Sequence, residues 1–163
     1  MGTKVRLQLP LHWRPAGRHI QTILQDNTGQ RLYRYPGYIT ENRNGDVIVS
    51  DRWCGVVVTD SRGRYRFSYT GPPSGSRLVP HGICTDALSH ILLCDSKTYT
   101  VHIIDKDGNY LTELDTEQHG IDEPWSLSYD DITRSVWVGS FTNNTVNIYR
   151  LIYGGDNLTG KLY

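Results

Sequence analysis

The sequence contains no run approaching the roughly 18 consecutive apolar residues of a membrane span, so none of it reads as a transmembrane helix. Its start, "MGTKVRLQLPLHWRPAGRH", has no apolar signal core, and Arg6 stands where a myristoylation pattern requires Ser or Thr. No membrane partner is expected, and the expected location is cytoplasmic. Cysteine is scarce: the count of three is odd and no C-x-x-C pair occurs, which argues against a disulfide framework and against a paired zinc knuckle. The sequons at Asn143 and Asn157 carry little weight without a secretory signal. There is no G-x-S-x-G elbow, phosphate loop or H-E-x-x-H helix, and the six histidines are scattered. No catalytic residue, metal ligand or cofactor is therefore assigned. Net charge is also lacking, but only on average. Residues 1–77 carry 12 Lys+Arg against 5 Asp+Glu (+7), and residues 78–163 carry 5 against 12 (−7).

What the sequence does have is a period. Pro36, Pro80 and Pro124 are spaced 44 and 44 residues apart, and the segments after them align: "PGYITENRNGDVIVSD", "PHGICTDALSHILLCD" and "PWSLSYDDITRSVWVGS". Each holds a short strand, a polar turn and an unbroken apolar run, "VIVS", "ILLC" or "VWVG". Asn44-Gly45 is a dipeptide of tight hairpins. Third and fourth strands follow in "GVVVTDSRGRYRFSY" and "TVHIIDKDGNYLTEL", joined by a D-x-x-G turn that also occurs upstream in "TILQDNTGQRLYRY". Four short strands per repeat describe an antiparallel β-propeller blade, and an unbroken apolar run suits a strand covered on both faces. The expected second strands are 46–50, 91–95 and 135–139.

The repeat also reads the polar residues. Cys84 aligns with Thr40 and Ser128, Cys94 with Ser50 and Val138, and His90 with Asp46 and Arg134. The two cysteines are thus expected as small buried strand residues and His90 on a solvated turn, which disfavours zinc. Asp51 and Asp95 end the second strands, where a carboxylate can accept backbone N–H groups of the adjoining loop; Gly139 stands there in the third copy. "DKDGN" at 105–109 reads as a hairpin turn rather than a calcium loop, because the glutamate of such a loop is out of register. His102, aligned with Val57 and Asn147, is expected at a strand surface or core edge.

The P-x-G-I start, the β-run ending in Asp and the D-x-x-G turn resemble the NHL repeat. "RYPGYITENRNGDVIVSD", "FSYTGPPSGSRLVPHGICTDALSHILLCD" and "GIDEPWSLSYDD" are similar to the C-terminal propeller of invertebrate tripartite-motif (TRIM) NHL proteins. Tyr38 and Ser126 depart from the glycine seen at Gly82. The resemblance implies an all-β, NHL-type β-propeller that recognises a protein partner or ubiquitylation substrate, or RNA. In full-length relatives it is joined to a RING, B-box and coiled coil with E3 ubiquitin ligase activity. Three cysteines cannot furnish the two zinc sites of a RING, so no enzyme is expected in this chain. Dividing 163 by 44 gives about 3.7 repeats, so the expected propeller is incomplete, with about 3.5 four-stranded blades where about six usually close a ring. The expected division is an extension over 1–18, the propeller over 19–155 with repeats near 36–79, 80–123 and 124–155, and a tail over 156–163. Open blade edges favour self-association.

In a propeller, the loops after second strands and before inner strands gather on one rim. Those loops carry Arg52, Trp53, Lys97, Tyr99, Phe141 and Asn143, with His81 and Trp125 at inner strand starts. Exposed aromatic and arginine residues are the usual anchors of protein interfaces, so this set is the expected partner site. A second reading assigns single-stranded RNA binding to Arg31, Arg34, Arg62, Arg64 and Arg66, which interleave with aromatics in "RLYRY" and "RGRYRFSY". A third, a metal-dependent propeller lyase or lactonase, lacks ligands, because the inner strands begin with Gly37, His81 and Trp125.

Overall fold

Each repeat proline opens a sheet: Pro36, Pro80 and Pro124 are the first residues of strands, where a missing N–H disturbs the ladder least. The computed structural model describes residues 17–73, 75 and 77–152. The first sheet runs in chain order through β1 (Pro36–Glu41), β2 (Val47–Asp51), β3 (Gly55–Thr59) and β4 (Tyr65–Tyr69). The second repeats this with β5 (Pro80–Thr85), β6 (Ile91–Asp95), β7 (Thr100–Ile104) and β8 (Tyr110–Asp115). The third holds β9 (Pro124–Asp130), β10 (Ser135–Ser140) and β11 (Val146–Arg150). Neighbouring strands are antiparallel throughout. The only helical element among the described residues is a 3-10 turn at Glu117–His119, and none of their helices is long and apolar enough to cross a membrane. Of the expected extension over 1–18 only residues 17 and 18 are described, and the expected tail over 156–163 lies outside the described residues.

Five hairpins share one turn. Gly45, Gly63 and Gly108 sit at φ +81°, +78° and +91°, and their N–H groups donate to Asn42, Asp60 and Asp105. Left-handed backbone at that point closes a three-residue loop with a bulge, so Asn44-Gly45 does not form the two-residue hairpin that its sequence suggests. Ser89, at φ +67°, does the same work between β5 and β6, and Gly29 upstream. In four of these turns the leading Asp (26, 60, 86 or 105) accepts the N–H groups two and four residues on. The Asp26 turn is flanked by a single bridge, Gln25 to Arg31, where the repeat leads one to expect two full strands.

The sheets stack face to face. Ile48, Val56 and Val58 of the first meet Ile83, Ile91, Leu93 and Ile104 of the second. From the other face of the second sheet, Leu92, Cys94, Val101 and Ile103 meet Val136, Val138 and Tyr149 of the third. All four apolar residues of β6 are fully buried, each such side chain contributing about 1.5–3 kcal/mol. In β10 the same pattern leaves Trp137 45% exposed, because no sheet covers the outer face of the third blade among the described residues. Gly82 is required where β5 meets β9: a Cβ there would lie 2.6 Å from the Trp125 carbonyl oxygen. Ser126, its counterpart, faces the open side and needs no such gap.

The register corrects one alignment. Ser140 pairs with Pro124 as Asp51 pairs with Pro36 and Asp95 with Pro80. The turn before β10 is one residue longer, so Ser140, not Gly139, occupies the place of the strand-end carboxylate. Cys94 then corresponds to Gly139 rather than Val138.

Candidate partner-binding rim

The rim is built by hydrogen bonds that recur in each blade. The residue after each second strand donates its backbone N–H to the segment entering the inner strand: Arg52 to Tyr35, Ser96 to Val79 and Phe141 to Glu123. The strand-end carboxylates tie the same two loops together. Asp51 accepts the N–H groups of Arg34 and Tyr35 on one oxygen and of Trp53 and Cys54 on the other, at 2.6–2.9 Å. Burial alone would raise its pKa, but these four donors outweigh it and hold the carboxyl below its ordinary value. Asp95 accepts the N–H groups of Val79 and Lys97 and the Thr98 hydroxyl. Ser140 offers a single hydroxyl to the Asn143 N–H.

On this scaffold the sequence-derived residues form two groups. His81, Trp125 and Phe141 stack in a row, with centroids 3.7 Å apart for the first pair and 4.4 Å for the second. The row ends in Phe141, 62% exposed. His81 Nε2 lies 3.0 Å from the Ser96 hydroxyl, and burial, followed by the charge of Arg52, lowers the imidazole pKa. Trp53 forms the second group, 55% exposed with the Arg77 guanidinium 5.3 Å from its ring centroid. Lys97 is exposed beside Ser96, and Tyr99, at φ +57°, turns an exposed ring outward while its carbonyl anchors Thr116. Asn143 plays a different part: its side chain donates to the Gly120 carbonyl and pins the β10–β11 loop.

Of the five arginines of the RNA reading, Arg64 and Arg66 line one groove with Tyr65, and Arg34 stands apart from them on this rim, next to Asp51. Arg62 and Arg64 lie at the β3–β4 turn of the opposite rim, and Arg31 flanks the Asp26 turn. Arg64 is paired with Asp60, and Arg66 with Asp46 and Asp107. Arg43, also on the opposite rim, is paired with Asp131. Among the described residues, Arg34, Arg52, Arg77 and Lys97 of the first rim have no such carboxylate partner. Arg77 was missed in the sequence although its loop leads into an inner strand, the criterion that found His81 and Trp125.

Two other sets resolve differently from expectation or in line with it. His102 is not at a surface or core edge but 1% exposed, with Nδ1 3.1 Å from the Tyr69 hydroxyl and Nε2 3.8 Å from Asp95 and 3.7 Å from Glu113. Burial lowers its pKa against the pull of both carboxylates. Cys84 and Cys94 lie in the apolar layer between the second and third sheets, where burial pushes the Cys84 thiol up to about 12 and raises that of Cys94. His90 is on its turn, bonded to Asp86.

No family model and no curated protein matches the chain. Solved structures do, two lyases among them. One is a streptogramin B lyase (TM-score 0.51, 17% identity, 75% of this chain and 42% of that one). The other is the catalytically inactive H270A virginiamycin B lyase from Staphylococcus aureus with quinupristin (TM-score 0.50, 12% identity, 71% and 41%). The chain thus spans about two fifths of the length of these lyases. At such identities the likeness is one of fold, and with the stacked four- and three-stranded sheets it makes the chain an incomplete β-propeller.

Proposed function

We propose that the chain is a non-catalytic recognition module of the TRIM-NHL kind, whose loop rim binds an acidic, aromatic-containing segment of a protein partner. The observation that carries this reading is the row His81–Trp125–Phe141 standing on the same rim as Arg34, Arg52, Arg77 and Lys97, cations without carboxylate partners among the described residues. A stacked row offers a flat apolar platform at low entropic cost, and unpaired cations beside it favour carboxylates. By analogy with the TRIM-NHL resemblance, the partner is a ubiquitylation substrate. Selection from a random peptide library on the 163-residue chain tests the reading. Peptides enriched in Asp, Glu and an aromatic residue are expected, and Trp125→Ala with Phe141→Ala should weaken them at least tenfold. Failure to enrich any peptide, alongside salt-sensitive binding of an oligouridylate, would replace this reading with the RNA one.

The fold likeness to two lyases favours a second reading, with His81 as the rim base, kept neutral by burial and by Arg52. Its ring is already covered by Trp125 and its Nε2 engaged by Ser96. Incubation with quinupristin, followed by mass spectrometry, should leave that compound intact.

A further inference from the structure

The loops that lead into the inner strands hold equivalent places and opposite charges. Arg34 and Arg77 stand exposed in the loops before β1 and β5. The loop before β9 carries Glu117 and Asp122, both exposed, and Glu123, half-buried, and among the described residues none of the three has a cation partner. The loops after the second strands follow the same gradient, with Arg52 in the first blade, Lys97 in the second and no charged residue over 141–145 in the third. The loop rim is thus basic over the first two blades and acidic beside the third. The acidic loop is also held firmly. Ile121 is fully buried, Thr116 donates its N–H and its hydroxyl to the Tyr99 carbonyl, and the side-chain amides of Asn143 and Asn147 donate to the carbonyls of Gly120 and His119.

The aromatic row lies between the two charges. Arg52 is near enough to His81 for its charge to lower the imidazole pKa, after burial, and at the far end the Phe141 N–H donates to the Glu123 carbonyl. Centroid spacings of 3.7 and 4.4 Å make the row as long as two or three extended residues, at about 3.3 Å each. Building on the rim as a protein-binding surface, we infer that the segment it takes is bipolar: acidic residues over Arg52 and Arg77, an aromatic residue on the row, and a lysine or arginine two or three positions further on, over Glu117, Asp122 and Glu123. Charge complementarity selects this occupant. A nucleic-acid strand carries a phosphate at every nucleotide and would meet the carboxylates wherever it ran on past Phe141, whereas a polypeptide can reverse its sign within a few residues. A segment acidic throughout meets the same repulsion. The loop before β9 therefore sets the direction in which the segment lies and rejects segments of a single sign.

Fluorescence anisotropy of three dye-labelled peptides on the 163-residue chain tests this. The first holds two aspartates, a tryptophan, a glycine and two lysines, with both ends blocked; in the others the lysines are replaced by glutamines or by glutamates. The lysine peptide should bind about fivefold tighter than the glutamine peptide, and the glutamate peptide about fivefold weaker, as expected for charges at an interface rim. The triple variant Glu117→Gln, Asp122→Asn and Glu123→Gln should remove both differences and leave the affinity of the glutamine peptide unchanged. Should that variant fail to fold, a benzophenone group in place of the second lysine decides instead, and its photo-cross-link to the wild-type chain should map to residues 116–123. A glutamine peptide that binds as tightly as the lysine peptide, differences that persist in the triple variant, or a cross-link to the first blade would each overturn the bipolar assignment while the acidic-segment reading of the rim stands. Binding by none of the three peptides would overturn both.

Discussion

The two rims of the same three sheets use aspartate and arginine in opposite ways. On the loop rim, Asp51 and Asp95 are buried and join segments that lie 16 or 17 residues apart. On the hairpin rim, the carboxylates of Asp60 and Asp105 bond within their own turns among the described residues, and Asp86 accepts the N–H groups of its turn in the same way. Arginines follow suit: Arg43, Arg64 and Arg66 of the hairpin rim are neutralised within the fold, whereas Arg52 and Arg77 of the loop rim are left facing outward. The hairpin rim is thus closed on itself. The loop rim keeps its backbone clamped from beneath by buried carboxylates and leaves its cations and rings free above, the arrangement a binding surface needs.

The comparison predicts the largest stability loss at the long-range clamps. Asp95→Ala strands the N–H groups of Val79 and Lys97 and the Thr98 hydroxyl, and should destabilise the chain by about 1–3 kcal/mol. Asp51→Ala, which strands four N–H groups, should cost at least as much. Ser140→Ala, which loses the bond from the Asn143 N–H and a longer contact to the Thr142 hydroxyl, should cost about 0.5–1 kcal/mol. Urea titrations measure all three. An unchanged midpoint for Asp95→Ala would show that the clamp is ornamental and would undo the contrast between the rims.

Much of this was legible in advance, and the illegible part has a common cause. The 44-residue spacing placed the inner strands at Pro36, Pro80 and Pro124, and the recurrence of Asp51 and Asp95 marked them as structural, because blade-internal bonds repeat with the sequence. The unbroken runs located β2, β6 and β10 to within one residue. What a single strand cannot encode is which neighbour lies across a blade boundary. The His81–Trp125–Phe141 row joins three loops, Arg66 reaches Asp46 and Asp107 over 20 and 41 residues, and the burial of His102 depends on Tyr69 of the preceding blade. Likewise "VWVG" matches "ILLC" as a string, yet Trp137 is exposed because of what does not lie above it.

Acid separates the layers beneath the loop rim by pH. His102 is neutral in the fold, since burial holds its pKa below the ordinary 6.5, so below that pH the unfolded chain takes up a proton that the folded chain resists. Stability should therefore fall as pH drops from 6.5, and His102→Gln should flatten that slope, with His81 contributing in the same sense. Asp51 acts lower down. Its folded pKa lies below the ordinary 3.8, so its contribution is full above that value and disappears as pH falls through the folded pKa. Denaturant midpoints measured from pH 7 to pH 2.5 should show both steps. A single step in the carboxylate range, with none near neutrality, would mean that Asp95 and Glu113 keep His102 charged.

The smallest effects come from the arginines, and they divide the rims most cleanly. Arg66 is partly buried and bridges Asp46, whose side chain is only 7% exposed, to Asp107 on the next blade. Removing it leaves the Asp46 carboxylate supported by Asn44 alone, so Arg66→Ala should cost about 1 kcal/mol, at the upper end for an ion pair near the surface. Arg52 is exposed and has no carboxylate to strand among the described residues, so Arg52→Ala should leave the urea midpoint within about 0.5 kcal/mol of wild type. The ranking should reverse in binding. Arg52→Ala should weaken a selected acidic peptide several-fold by fluorescence anisotropy and reduce its salt dependence, while Arg66→Ala should leave the affinity unchanged. Equal losses of affinity from the two variants would place the ligand on both rims or on neither, and the division of labour between them would fail.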